Sequence, residues 1–372
     1  MRRPVIVLIA WLTCGFSGVA GAAGLTGGPL RDYSVPYFLA PHQVEVSADY
    51  LVMNSTVDIF NFRDSELSSV SSDLRTASMG DLNGGRLLVN YGFLDRTNLR
   101  AEYLYRDIDM GLANFKIHSG ELALRQGLAL PHVPEFLTLA VEGGARGSLA
   151  EDIDFNQISD INRYVRKIEP GTSISETGSH VVFTTPDGSV YSPKAGKAPL
   201  DVTLKDMNDQ TVFFRLLLGL KPAVLTPSLF LEYGHTWIDT CIDSNVATFV
   251  GGSLAEYLTG DFPVDLSRSE NYWKGGVHIS WQVLHSVTAQ AAYEYLRMQR
   301  GSGLDASDDN HIVKADLTWE VTPSLGLNLG GVYYRHQFNG VIPFLYNRYS
   351  QNSFDHEYGV LNIGLIGKWG GS

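Results

Sequence analysis

Residues 272–297 read YWKGGVHISWQVLHSVTAQAAYEYLR, and this stretch decides the fold. Apolar and polar side chains alternate along it on both sides of a short turn at residues 284–286. Trp273, Val277 and Trp281 fall on one face, and the residues between them fall on the other. Such strict alternation is the period of a β-strand rather than of a helix. The stretch therefore predicts two antiparallel strands joined as a hairpin.

The apolar face of this hairpin carries an aromatic residue at each end. Trp273 and Trp281 are eight positions apart, which at ~3.4 Å per residue and a strand tilt of roughly 40° separates them by about 20 Å along the normal to a closed barrel. This is close to the height of the lipid-facing band of a membrane barrel. A soluble sandwich also alternates, but it has no reason to place aromatics at both ends of its apolar face. The hairpin therefore predicts a strand pair that spans a membrane.

The N-terminus predicts export. Arg2 and Arg3 precede an apolar run at residues 5–12, and small residues follow at 18–23. This is the pattern of a cleavable secretory signal peptide, which we assign to residues 1–24. Removing it changes the formal charge from −12 to −14, and an acidic exported chain gives no reason to expect nucleic-acid binding. Residues 25–42 have no period and predict a periplasmic lead-in.

The alternation seen in residues 272–297 recurs along the chain, and short connections alternate with long ones. The longest connections are residues 54–84, 147–210 and 239–269. This pattern predicts an all-β fold in residues 43–372, a closed antiparallel transmembrane β-barrel of about 12 strands with long extracellular loops and short periplasmic turns. The predicted strands are residues 43–53, 86–93, 98–106, 115–128, 137–146, 211–220, 228–238, 272–283, 287–297, 310–321, 325–338 and 355–369.

On the apolar faces of the strands, which we expect to point outward, the aromatic residues form two predicted belts. This follows if successive strands cross the membrane in opposite directions. Interfacial anchoring predicts such belts at both surfaces of the bilayer, with aliphatic residues between them. The predicted external belt is Tyr103, Tyr105, Trp237, Trp273, Tyr293, Tyr295 and Tyr333, and the predicted periplasmic belt is Tyr91, Phe93, Trp281, Trp319 and Trp369.

The last strand carries a resemblance to a known group. Alternating residues at 358–368 lead to an aromatic residue, Trp369. In this the chain resembles bacterial outer-membrane β-barrel (porin-like) proteins, in which a terminal aromatic commonly acts as an assembly signal. The resemblance implies the outer membrane as location, contact with its lipid and lipopolysaccharide, and recognition of the C-terminal strand by the barrel-assembly machinery. Gly370, Gly371 and Ser372 follow the aromatic and depart from that pattern.

The inward set of residues is rich in charge. Such side chains are prohibitive against lipid but tolerated in a lumen where they meet water or one another. The predicted pore-lining residues are Arg86, Arg100, Glu102, Arg106, Glu121, Arg125, Glu142, Arg146, Arg215, Glu232, Lys274, His278, Glu294, Lys314, Asp316 and Glu320.

Two functions compete for such a lumen. A barrel of ~12 strands lies between those filled by side chains and those that hold an open channel. We expect a porin or channel for passive passage of small hydrophilic solutes through a narrow lumen. The alternative is a structural barrel whose Arg and Glu side chains pair and plug the lumen, and which partners another envelope component. No cofactor and no metal site are predicted.

An enzyme is the third hypothesis. His278 and Ser280 match the His-x-Ser pair of barrel lipid A deacylases, which would make the chain a lipid A or phospholipid hydrolase. In those enzymes the pair works at the membrane-facing surface. Here both residues are an even number of positions from Lys274 and so lie with it on the predicted lumen face. We therefore predict that the chain is not an enzyme.

Overall fold

Alternating segments of the sequence form strands in the computed structural model. It describes residues 35–53, 81–109, 114–129, 131, 134–155, 171, 173–177, 180–191, 202–220, 224–244, 264–301, 308–336, 338–346 and 357–370. Twelve strands build the main sheet. In chain order they are β1 (Val44–Met53), β2 (Leu82–Leu94), β3 (Thr97–Asp109), β4 (Asn114–Leu128), β5 (Leu137–Ala150), β6 (Val202–Leu220), β7 (Leu225–Ser244), β8 (Arg268–Leu284), β9 (Val287–Gln299), β10 (Asp309–Thr322), β11 (Leu325–Tyr334) and β12 (Tyr358–Trp369).

The sheet closes on itself. Each strand pairs antiparallel with the next one in sequence, and β12 pairs with β1 from Val44 opposite Trp369 to Val52 opposite Leu361. The predicted closed antiparallel barrel of twelve strands is therefore confirmed. Closure leaves none of the twelve barrel strands as an edge strand, which is what a sheet surrounded by hydrocarbon requires.

The two ends of the barrel differ in their connections. At one end, here called the turn end, β8 passes to β9 through residues 285–286 and β10 passes to β11 through residues 323–324. The opposite end, here called the loop end, carries the long connections. One connection there is short, because residues 110–113 alone join β3 to β4. The expected alternation of short and long connections is wrong at this point.

β6 and β7 continue past the loop end of their neighbours. They have 19 and 20 residues, longer than the predicted segments 211–220 and 228–238. Two short strands, Ile153–Phe155 and Val264–Asp265, pair with these extensions. In the longest connection, residues 181–185 and 190–192 on either side of Pro186, Asp187 and Gly188 predict a small hairpin. The structure contains it as His180–Thr184 and Val190–Tyr191, with Ser173–Thr177 as a third strand. The sequence also predicts a short helix at residues 156–167, which lie outside the described residues.

Alternation divides each strand between two surroundings. On β8, Trp273, Val277 and Trp281 are exposed on the outer surface, whereas Tyr272 and His278, which point to the opposite face, are buried. The same division holds around the sheet, so the outer surface is apolar and the inner one is crowded with polar side chains. No helix among the described residues is long and apolar enough to cross a membrane.

Candidate functional site: the barrel lumen

The sixteen residues predicted to line the lumen all alternate with outward-facing neighbours, and none of them is exposed. Their burial agrees with an inward orientation, because charged side chains are almost never buried unless they meet a partner. Arg215, Glu232 and Glu142 are at most 1% exposed. The lumen therefore brings these residues together; their role in conduction remains a prediction.

A network of ion pairs occupies the middle of the lumen. Glu142 of β5 is central, with Arg125 Nη2 at 2.7 Å from its carboxylate and Arg100 Nη1 at 3.2 Å. Arg215 also pairs with Glu142 and donates from Nε to Glu232 at 2.7 Å. These four strands, β3 to β6, are neighbours of one another and of β7, so the pairs run along the wall. The six predicted lumen arginines all lie on β2 to β6, and Glu102, Glu121 and Glu142 lie among them. Arg100, Arg125 and Arg215 pair with carboxylates on neighbouring strands.

Tyr272 joins this network to β8. Its hydroxyl donates to Glu232 at 2.6 Å and accepts from Arg146 Nη2 at 2.8 Å. The ring lies flat against Gly234 of β7, where a Cβ would come within 2.3 Å of the ring. Only glycine permits this approach, so Gly234 positions the Tyr272 hydroxyl inside the lumen. The alternation of residues predicts that Tyr272 points inward. Its pairing with Gly234 follows only from the strand register.

Further ion pairs continue around the wall. Lys274 Nζ lies 2.7 Å from Glu294, and Lys314 binds the same carboxylate. Arg86 pairs with Asp49 at 3.0 Å, and Lys368 pairs with Glu45 at 3.2 Å near the turn end. These contacts again join neighbouring strands. Ion pairs thus line much of the lumen wall.

Residues 35–42, part of the predicted lead-in, close the turn end from inside. Phe38 packs on an inner cluster of Ala140, Leu217 and Phe230. The Leu39 amide donates to Asn98 Oδ1 at 3.3 Å, and Arg125 donates to the carbonyl oxygen of Val35. Burial raises the pKa of the Tyr37 phenol in the same segment, which keeps that ring neutral. We call residues 35–42 the turn-end strap.

Residues 338–346, here called the loop-end plug, close the other end. Phe338, Ile342, Phe344 and Tyr346 are each at most 1% exposed, although they belong to a connection. Arg268 Nη2 donates to two plug carbonyls, Pro343 O at 2.9 Å and Tyr346 O at 2.6 Å. The length of the connection at residues 147–210 makes it the segment that the sequence favours as a constriction, and the sequence analysis does not identify residues 338–346. The signal it could have used is the apolar run VIPFLY at residues 341–346.

The plug is held by both shape and charge. Gly340 has a φ of +72° and lies against Leu296, so that a Cβ would meet the leucine side chain at 2.1 Å. Arg300 lies over the Tyr346 ring with its guanidinium carbon 4.9 Å from the ring centroid. Asn310 Nδ2 donates to the carbonyl of Asn339 at 3.0 Å. The plug therefore packs against β8, β9 and β10 but is not itself part of the barrel wall.

A cavity of about 260 Å³ lies between the central network and the plug, and we call it the chamber. Nine of the sixteen predicted lumen residues line it, together with Asp209, Tyr272, Tyr334 and Tyr358. Asp209 was missed because β6 was expected to begin at residue 211. Apolar side chains such as Leu82, Leu104 and Ile312 form the remainder of the wall. The chamber is thus a partly open space with charged and apolar surfaces.

The outer surface carries the predicted aromatic belts. Seven of the twelve predicted residues are exposed and the other five are half-buried against neighbours on the outer face. Histidines that the sequence reasoning did not include also belong to this surface, since the His118 ring lies 5.1 Å from that of Tyr105 and the His235 ring lies 4.5 Å from that of Trp237. The function of these belts as membrane anchors remains a prediction.

His278 and Ser280 lie inside the barrel. His278 is 1% exposed, and its Nδ1 is 3.4 Å from the Ser228 hydroxyl of β7. Ser280 is buried on the same inner face. Neither residue reaches the outer surface, where a lipid substrate would lie.

Comparisons with known proteins describe the general resemblance. No family model and no curated protein matches the chain. Among solved structures, the NanC porin is 9% identical with a TM-score of 0.40, covering 87% of this chain and 98% of the porin. The translocator domain of autotransporter NalP from Neisseria meningitidis is 8% identical with a TM-score of 0.42, covering 88% and 87%.

The Pseudomonas putida toluene transporter TodX is 9% identical with a TM-score of 0.42, covering 90% of this chain and 91% of the transporter. The solved structures that resemble the barrel are thus porins and channels and an autotransporter domain. These values assign the chain to no one of their families.

Proposed function

We propose that the protein is an outer-membrane channel whose lumen is closed in this structure by two segments that do not belong to the barrel wall. The observation that carries the proposal is the chamber, which lies between the central ion-pair network and the loop-end plug. A barrel built only as a rigid scaffold has no need of an internal cavity with an inserted segment beside it. Movement of the plug would connect this space with the loop end, and a path to the turn end would run through the central network and past the turn-end strap.

The outer surface supports the membrane setting of this proposal. Aliphatic side chains such as Leu216, Leu229 and Val277 stand 43–50% exposed on the outer wall. A contiguous apolar surface of this extent marks contact with a partner or a membrane. A band of aliphatic residues between two aromatic belts fits a bilayer, because aromatic residues concentrate at both interfaces.

The wall chemistry supports passage of small polar or amphipathic solutes. Because the wall charges pair with one another, we expect weak selectivity between cations and anions. The apolar portion of the chamber departs from a purely hydrophilic lumen, and solutes that carry an apolar part fit it as well.

Conductance of the purified protein in planar bilayers tests the proposal. Wild-type protein should give small or infrequent current steps, and replacement of residues 338–346 by a glycine–serine linker should give clearly larger ones. The matched control replaces residues 180–191, which belong to the separate three-stranded sheet, and should leave the steps unchanged. If the plug variant folds, as shown by heat-dependent migration on SDS gels, and still passes no current, the channel proposal is wrong.

A second candidate is the plugged structural barrel. The density of ion pairs around Glu142 and Glu232 favours it, because satisfied buried pairs stiffen a lumen. It predicts that removing both the strap and the plug leaves the bilayer without current steps. The lipid hydrolase remains the least supported candidate, since His278 and Ser280 face the lumen and would require a substrate to enter it.

A further inference from the structure

The chamber holds a group of charged side chains that differ from the rest of the lumen. Arg106 is 7% exposed and Asp209 is 4% exposed, and Glu102 lies beside them. Among the described residues, none of the three forms an ion pair within 4 Å. Arg106 interacts electrostatically with both carboxylates, and all three groups line the chamber. Arg146 also acts on both carboxylates and Lys314 acts on Glu102, but these two cations are themselves paired with Glu232 and Glu294.

Specific atoms of these groups lack hydrogen-bond partners. Arg106 donates from Nη2 to the Ser119 hydroxyl at 2.7 Å, which leaves its Nε without an acceptor. Glu102 Oε2 and Asp209 Oδ2 likewise have no donor. A buried charged group without its hydrogen bonds carries the full penalty of desolvation. Asp209 keeps a hydrogen bond to Ser148. The cluster therefore lacks one acceptor, for Arg106, and one donor for each carboxylate.

Next to this cluster the chamber is aromatic and aliphatic. The Tyr334 and Tyr358 rings have centroids 5.5 Å apart, and Phe338 of the plug lies 5.4 Å from Tyr358. Leu296 and Ile312 extend the apolar wall. An apolar cavity of roughly 150 Å³ holds one benzene ring, so the chamber has room for a single ring and a short polar tail.

The charges of Glu102, Asp209 and Arg106 determine which charged groups a small amphiphilic ligand should carry. An ammonium group would meet Glu102 and Asp209, and a carboxylate would meet Arg106. A ligand with only one of these groups leaves the other side of the cluster without partners, and a buried polar group left unpaired is how a site rejects the wrong molecule.

We propose that the chamber is a binding site for small zwitterionic amphiphiles, with an aromatic-sized apolar body against Tyr358 and Phe338, its ammonium group at Glu102 and Asp209, and its carboxylate at Arg106. The inference deepens the proposed channel function and rests on it, since it names the class of solute that the channel would pass. An aromatic amino acid has this size and charge pattern.

Isothermal titration of the detergent-solubilised protein tests the site with three probes that share one body. L-phenylalanine carries both charges, phenylacetate only the carboxylate, and phenethylamine only the ammonium. We expect L-phenylalanine to bind about tenfold or more tightly than either analogue. Equal or tighter binding of an analogue would overturn the zwitterion assignment. If none of the three probes binds to the wild-type protein, the proposed site is wrong.

Variants assign the charges individually. Arg106→Gln should abolish the preference for L-phenylalanine over phenethylamine, because the carboxylate loses its partner. Glu102→Gln and Asp209→Asn should abolish the preference over phenylacetate. Glu135→Gln, which makes the same change at an exposed turn residue, should bind as wild type does. If the three lumen variants only weaken all probes in proportion, their role is structural and the proposal is wrong.

Current measurements on the same preparation separate this inference from the channel proposal. Current steps without probe binding would remove the site and leave the channel. Probe binding without current steps, in wild type and plug variant alike, would remove the channel and leave the site.

Discussion

At the scale of single residues, the lumen is determined by which charges have partners. Arg215 of β6 is 1% exposed and pairs with Glu142 and Glu232. Removing one member of such a buried network leaves its partners as uncompensated charges, whereas a polar residue at the surface is replaced with little effect. The central arginines are therefore expected to determine stability more than any other charged residues of the wall.

Replacement of Arg215 by Met tests this. We expect the free energy of unfolding to fall by about 3–5 kcal/mol, because two carboxylates lose a partner in a buried setting. Urea titration of the reconstituted protein, followed by tryptophan fluorescence, measures it. Arg335→Met, at an exposed loop residue, is the control and should change stability by about 0.5 kcal/mol or less. A small loss in Arg215→Met would show that the network is already hydrated.

Gly234→Ala tests the close approach of Tyr272. A Cβ at this position would displace the ring and break its hydrogen bonds to Glu232 and Arg146, with a loss of about 2–3 kcal/mol. Gly275→Ala is the control, since the nearest atom to a Cβ there is 3.5 Å away. In a Tyr272→Ala background the Gly234→Ala change should become nearly neutral. Independent, additive losses in that double variant would contradict the contact.

At the scale of elements, strands could be predicted from the sequence and inserted segments could not. Alternation on β8 fixes which residues face inward, so the inner and outer faces follow from parity once a strand is located. The loop-end plug and the turn-end strap have no period, and their positions depend on pockets formed by residues distant in sequence. Asp209 shows where alternation is insufficient. It lies on the inward face in step with Arg215, but the strand begins earlier than its pattern indicates.

Deletion of residues 35–40 tests the strap as an element. Phe38 and Leu39 leave the turn end in this variant, and the inner cluster that includes Leu217 becomes open to solvent. We expect larger single-channel current steps than in wild type, with the largest steps when residues 338–346 are replaced as well. Retained barrel content by circular dichroism is the control for folding. Unchanged steps in the deletion variant would mean that the strap does not restrict passage.

At the scale of the whole molecule, the tryptophans report how the barrel sits in a bilayer. Trp237 and Trp273 lie toward the loop end, and Trp281, Trp319 and Trp369 lie toward the turn end. All five are 44–53% exposed on the outer surface. Interfacial anchoring therefore predicts two groups of tryptophans at shallow depth, one near each surface of the bilayer. The aliphatic residues between them should lie near the bilayer centre.

Variants that retain one tryptophan each, reconstituted into vesicles with lipids brominated at different depths, measure this arrangement. Each native tryptophan should be quenched best by bromines near the headgroups, with Trp273 and Trp281 in opposite leaflets. A tryptophan introduced by Val277→Trp, midway between them on the same face, should be quenched best by bromines near the bilayer centre because it lies four residues from either belt. Strong quenching of all these positions by aqueous iodide would place the outer surface in water, and the channel proposal would fail with it. The assignment of lumen and lipid faces thus depends on a depth difference within a single strand, β8, which the same strand's alternation first predicted.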